Sequence, residues 1–204
     1  MATLSELVAT IAKAEGMDLA TVALFARYVR EAGFIEKKGR GPSAANMGVK
    51  DAANLLIAIN AASSVRAAAS VVPVYKSLVA IGDETIHGTF GEALELLIAS
   101  AIEGKLPGSF LSKDVSDIVR DSFERGKSDI SISFERPSPS VSFHIAAPSR
   151  QEEFAPGVYN TITPVFGAIF FPTKRASRKV NLGDRKDRIT IGNVTIFSVA
   201  ERLR

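Results

Sequence analysis

The sequence predicts an α+β fold in which helices come first and antiparallel β-hairpins follow. From residue 4 to about residue 125 the apolar residues recur at helical spacing, whereas after Gly126 they alternate with serines, as in half-buried strands. Cysteine is absent and 46% of the residues are hydrophobic, so an apolar core must hold the fold without disulfides.

Two amphipathic helices are expected at residues 3–14 and 18–32. Gly16 lies between them as a helix stop, and Asp18 is in place to cap the second helix. The apolar stripe of the first helix consists of Leu4, Leu7, Val8 and Ile11. The stripe of the second consists of Val22, Phe25, Ala26 and Val29.

A third helix is expected at residues 49–70, with its alanine-rich continuation broken near Pro73. Asp51 lies in its first turn, where the helix dipole favours a carboxylate. Between the second and third helices, residues 35–48 are rich in glycine and cations, and this segment is named the basic loop.

Beyond the third helix, the periodicity predicts further helices at residues 90–104 and 111–125 and no strand before residue 80. A β-hairpin should pair residues 129–135 with 140–146. A second hairpin is expected at residues 188–198, around Gly192 and Asn193. No structure is assigned to most of the chain between the two hairpins.

The first helices match the spacing of a helix-turn-helix. Ala12 supplies a small residue at the helix contact, Gly16 lies at the turn, and Val22 and Phe25 follow at distances suited to closing a small core. This pattern predicts a helix-turn-helix-like DNA-binding head at residues 1–70. An α+β body at residues 71–204 would then dimerise or sense a partner.

In this register the second helix is the recognition helix. Arg27 is its best candidate for reading base edges, because the neighbouring Ala20, Ala23 and Leu24 offer no hydrogen bonds to them. The glycine-punctuated basic loop is suited to phosphate contacts. The candidate nucleic-acid-binding residues are Arg27, Arg30, Lys37, Lys38, Arg40 and Lys50.

The same region carries a resemblance to a family. The segment VREAGFIEKKGRG at residues 29–41, followed by Met47 and by DAANLLIA at residues 51–58, resembles the N-terminal module of uncharacterised proteins of alphaproteobacterial prophages. This resemblance covers about residues 4–60 and implies a DNA-binding head. It implies no catalytic residue, and Gly48 and Val49 stand where the pattern has Thr-Pro.

Other chemistry has little support in the sequence. His87 lacks the three or four convergent ligands that a metal site needs, and His144 is expected to be exposed on a strand. The serines of the first hairpin have no base partner, and no glycine pattern matches a phosphate loop. We therefore expect neither an enzyme nor a cofactor. With no apolar run of about 18 residues and no signal-peptide core, we expect a cytoplasmic protein without a membrane segment.

Three functional interpretations remain open from the sequence. The leading hypothesis is a phage-type transcriptional regulator that binds double-stranded DNA as a homodimer, because one short helix contacts few bases. The alternative is a non-enzymatic phage accessory or structural protein whose head and hairpins dock a protein partner. Residues 1–60 also fit a plain three-helix bundle, and the basic segment at residues 174–188 fits a solvated loop.

Overall fold

The protein has an α+β fold, with helices in its N-terminal part and an antiparallel sheet formed later in the chain. A computed structural model describes residues 2–37, 46–80, 88–106, 123, 128–148, 162–172 and 187–204. The helices are α1 (Leu4–Glu15), α2 (Leu19–Glu31), α3 (Val49–Ala61), α4 (Ala68–Lys76), α5 (Phe90–Glu103) and α6 (Asn193–Leu203). The strands are β1 (Val79–Ala80), β2 (Asp129–Arg136), β3 (Ser140–Pro148), β4 (Ile162–Phe171) and β5 (Asp187–Gly192).

The first two helices are confirmed, and so are the expected roles of Gly16 and Asp18. The side chain of Thr3 caps α1 and accepts a hydrogen bond from the backbone N–H of Glu6. Gly16 ends α1 with a positive φ of 64°, a conformation that glycine adopts without steric cost. Asp18 caps α2 by accepting from the N–H of Thr21 at 2.9 Å.

The expected single helix at residues 49–70 is wrong, because it is two helices. Helix α3 ends at Ala61, the backbone of Ala62 is extended, and a 3-10 turn at Val65–Ala67 leads into α4. The guanidinium of Arg136 donates to the carbonyl oxygen of Ala62, a group that would otherwise belong to the helix ladder. The break expected near Pro73 is also displaced, since α4 passes through Pro73 and ends at Lys76.

Helix α5 confirms the expected helix at residues 90–104, and Thr89 caps it. The helix expected at residues 111–125 lies outside the described residues apart from Phe123, which is buried. The prediction of no strand before residue 80 is wrong, because the short strand β1 begins at Val79 and pairs with the end of β4. A strand of two residues carries too little alternation to be recognised in a sequence.

The sheet confirms the first hairpin in its predicted register. Strands β2 and β3 pair antiparallel from Asp129 opposite Ala146 to Glu135 opposite Ser140. The strand order is β1-β4-β3-β2-β5, so the hairpin lies at the centre of the sheet. Its apolar face is buried, whereas the opposite face carries Ser133 and the exposed His144, as expected.

The second hairpin is wrong, because only its first half is a strand. Strand β5 pairs with β2, and the chain then enters α6 instead of turning back. Gly192 has a φ of −125°, so the positive φ values of a tight hairpin turn are missing. Buried Ile196, Val199 and Ala200 show the helical spacing that the short alternating segment concealed.

One hydrophobic core joins the helices to the sheet. Its buried members run along the chain from Leu7 to Ala200 without a division near residue 70. Helix α1 packs between α2 and α6, and α3 packs against α4, α5 and the strands. Whether residues 1–70 fold alone stays a prediction, although residue 70 lies inside α4.

Candidate nucleic-acid interface

Burial determines which helix of the first three has a free face. Every residue of α3 from Asp51 to Ala61 is buried, so this helix cannot enter a DNA groove without unfolding the core. Helix α2 buries Val22, Phe25, Ala26 and Val29 and leaves its opposite side exposed. The arrangement of α1, a three-residue turn and α2 therefore presents α2 as the exposed helix of the pair.

The exposed side of α2 carries the predicted reading residue in an ion pair. The Nε atom of Arg27 lies 2.7 Å from Oε1 of Glu31, one helical turn further on. This hydrogen bond and the carboxylate charge raise the pKa of Arg27, and both side chains are more than half exposed. An ion pair this exposed adds little to stability, so Arg27 remains available to another anion.

Lys37 joins this cluster from the basic loop. Its Nζ atom donates to the carbonyl oxygen of Glu31 at 3.0 Å, which places a lysine at the C-terminal end of α2. Arg30 is exposed there and makes no ion pair with any described part of the chain. The structure thus brings together Arg27, Arg30 and Lys37 around Glu31.

The two ends of the basic loop are tied to the start of α3. One carboxylate oxygen of Asp51 accepts the N–H of Glu36 at 3.0 Å, and the other accepts the N–H of Gly48 at 2.9 Å. The amide of Asn54 donates to the carbonyl of Phe34 at 2.7 Å. A bridge between Ala2 and Met47 adds a further link, with the N–H of Met47 donating to the carbonyl of Ala2.

The remaining candidate residues divide into two groups. Lys50 is exposed in the first turn of α3, directly before Asp51, and it forms no ion pair within the described ranges. Lys38 and Arg40 lie outside the described residues, so their part in the site stays a prediction. The contacts of Glu31 and Asp51 were missed from the sequence, although Asp51 stands three residues after the helix cap, the position of a capping carboxylate.

An open groove lies between α1 and α2 on the same side of the protein. It encloses about 680 Å³ and is lined by apolar residues that include Leu4, Val8 and Leu19 and by the charged side chains of Arg27, Arg30 and Glu31. Leu19, Leu24 and Tyr28 are among the exposed large hydrophobic residues of the described chain. This surface is therefore part cationic and part apolar.

A partly buried acid, Glu15, lies at the other end of α1. Burial raises the pKa of Glu15 to about 7, against the opposing effect of a hydrogen bond from the Asn60 amide at 3.2 Å. Glu15 and Asn60 line a pocket of about 480 Å³ where α1 and α3 meet β5 and the start of α6. Burial here disfavours the charged carboxylate.

The described residues offer no support for a metal site or a membrane segment. No group of three His, Asp or Glu side chains lies close enough together there to hold a metal ion, and His87 falls outside those ranges. In the same part of the chain, no helix has the length and apolar character to cross a membrane. The basic segment at residues 174–188 is described only at Asp187 and Arg188.

Comparison with protein-family models, curated proteins and solved structures finds no match to this chain. The resemblance to prophage proteins therefore stays a prediction from the sequence.

Proposed function

We propose that this protein binds double-stranded DNA through the exposed side of α2 and the basic loop. The observation that supports this most directly is the cluster of Arg27, Arg30 and Lys37 at the exposed end of a helix that follows a tight turn. A cationic cluster beside an exposed helix suits the phosphates that flank a major groove.

The contacts available favour positioning over reading. Lys37, Lys50 and Arg30 carry compact or flexible charges that suit phosphates, and Lys38 and Arg40 belong to the same proposed surface. Arg27 is the proposed reading residue, because its exposed guanidinium on α2 can bond a guanine edge bidentately. We therefore propose modest sequence discrimination, which depends on Arg27 leaving Glu31.

A single head of this kind buries little surface, so we propose that the protein acts as a homodimer. Two copies of α2 would then contact half-sites about 34 Å apart, one turn of the duplex. A phage-type transcriptional regulator in the cytoplasm is the biological role that fits this arrangement. Sedimentation with and without duplex DNA tests the dimer independently of affinity.

The proposal is tested by titrating a fluorescent duplex of about 20 base pairs and random sequence with the full chain at about 50 and 200 mM salt. If the protein makes roughly four phosphate contacts, this rise in salt would weaken binding on the order of a hundredfold, because each contact releases condensed counterions. A binding constant that does not change with salt, or no binding at the lower salt concentration, would rule the proposal out.

The groove between α1 and α2 favours a second candidate function. Leu19, which lines this groove with Leu4 and Val8, is 54% exposed, and an apolar partner would remove this contiguous apolar surface from water. An amphipathic helix of a partner protein would fit such a groove, with acidic residues facing Arg27 and Arg30. Leu19→Ala would weaken this docking while leaving random-duplex binding nearly unchanged.

A further inference from the structure

We propose that Asp51 is a positioning residue for DNA binding, because it ties the residue before Lys37, at one end of the basic loop, to the start of α3, which carries Lys50. This inference rests on the proposed function. It concerns Lys37 and Lys50, which the structure describes, and it assigns Asp51 no contact with DNA.

Asp51 bonds to the backbone at both ends of the basic loop. Its carboxylate accepts the N–H of Glu36, the residue before Lys37, and the N–H of Gly48, two residues before Lys50. These bonds join positions that are 12 residues apart in the chain. Among the described residues, the Asn54 bond to Phe34 and the bridge from Met47 to Ala2 also hold the chain near the two ends of the loop.

Both carboxylate oxygens of Asp51 are already used by hydrogen bonds within the fold. Asp51 is 9% exposed, and both donors are backbone N–H groups. Hydrogen bonds from N–H groups to a carboxylate are stronger than neutral ones, so the charge serves the loop ends. The same carboxylate lies in the first turn of α3, where the helix dipole stabilises it.

The effect on affinity has a sign that distinguishes positioning from charge. Asp51→Asn makes the protein one unit more positive, which on charge alone strengthens binding to any duplex. The asparagine keeps one acceptor oxygen, so one of the two loop bonds is lost. Positioning therefore predicts weaker binding, with a salt slope shallower by about 0.9 for each phosphate that the loosened lysines no longer neutralise.

The experiment measures random-duplex affinity and salt slope for the full chain, Asp51→Asn and the control Asp18→Asn. The control makes the same charge change at the start of α2, and asparagine caps helices as well as aspartate does. We expect weaker binding for Asp51→Asn and equal or tighter binding for Asp18→Asn. Equal or tighter binding by a folded Asp51→Asn protein would overturn the positioning role.

Two further measurements separate this inference from the proposed function. Amide hydrogen exchange at Glu36 and Gly48 should speed up in Asp51→Asn while exchange in α1 and α2 stays slow, and unchanged exchange at both amides would overturn the inference. In a double-mutant cycle, Lys37→Ala should cost less affinity on the Asp51→Asn background than on the native one, and additive losses would contradict coupling. If the native chain binds no DNA, the proposed function fails, while the exchange data still show whether Asp51 holds the loop.

Discussion

At the residue scale, neighbouring positions on α2 have opposite environments. Phe25 is 6% exposed in the core, whereas Leu24 is 46% exposed. Replacing Phe25 by alanine should lower the free energy of unfolding by about 3–5 kcal/mol, because it removes a buried ring and leaves a cavity. The adjacent Leu24→Ala should change the unfolding free energy by no more than about 0.5 kcal/mol. Urea unfolding measures both, and equal losses would mean that the side of α2 facing the core is misassigned.

Glu15 gives stability an unusual dependence on pH. Its pKa rises from an ordinary value of 4.5 to about 7 in the fold, so the folded state holds a proton that the unfolded chain releases. Its contribution is fully present below pH 4.5 and is lost as pH rises through about 7.

Glu15→Gln removes that pH dependence and keeps a side chain of similar shape. We expect Glu15→Gln to be more stable, relative to the native chain, at about pH 8 than at about pH 5, because the native Glu15 is charged and destabilising at the higher pH. Other titrating groups cancel in this difference. The same difference at both pH values would show that Glu15 is not destabilised by burial.

The sequence predicted the burial of individual residues better than their side-chain contacts. The burial of Val22 and Phe25 followed from helical spacing, since an amphipathic stripe must face the core. The bond between Asp51 and the N–H of Glu36 did not, because it joins positions 15 residues apart that the fold alone brings close. Side-chain contacts between distant positions leave no periodic signal.

At the level of secondary-structure elements, the ion pair between Arg27 and Glu31 allows a test of whether α2 contacts DNA. Glu31→Gln removes a negative charge from the exposed side of α2 and releases the Arg27 guanidinium. We expect tighter binding to random duplex, and a folded protein by circular dichroism, because an exposed ion pair of this spacing contributes little stability. Arg27→Ala should reduce preference for a selected site more than it reduces random-duplex binding.

A matched change elsewhere provides the control for charge. Glu201→Gln alters the same charge on α6, away from the proposed interface. If it tightens DNA binding as much as Glu31→Gln does, net charge alone explains the gain and α2 is not the contact helix.

Strand and helix boundaries show why elements were predicted with different success. Strands β2 and β3 alternate over a full hairpin, and their register was readable from the sequence. Strand β4 was not predicted, because its end at the described Phe170 and Phe171 belongs to an apolar run that fits a helix equally well. The turn signal at Gly192 and Asn193 was misleading because it marks the start of α6.

At the scale of the whole molecule, the head and the body share one core. Arg202 on α6 donates from Nε to the Thr10 hydroxyl at 3.3 Å, and its Nη1 atom lies 3.7 Å from Oε1 of Glu6. These polar contacts add to the packing of α1 against α6. We expect a single cooperative thermal transition. Val199→Ala in α6 should lower the free energy of unfolding by about 1.5–3 kcal/mol, and the protein should still unfold in one transition. A calorimetric scan with two separate transitions would instead support an independently folding head.

The central claim is that the basic loop contributes phosphate contacts to DNA binding. The most direct measurement is the salt dependence of random-duplex affinity for the full chain and for the variant in which Lys37, Lys38 and Arg40 are all alanine. We expect the variant to bind every duplex more weakly, with a logarithmic salt slope shallower by about 0.9 for each phosphate that it no longer neutralises. An unchanged affinity and slope in a folded variant would contradict it and favour docking of a protein partner.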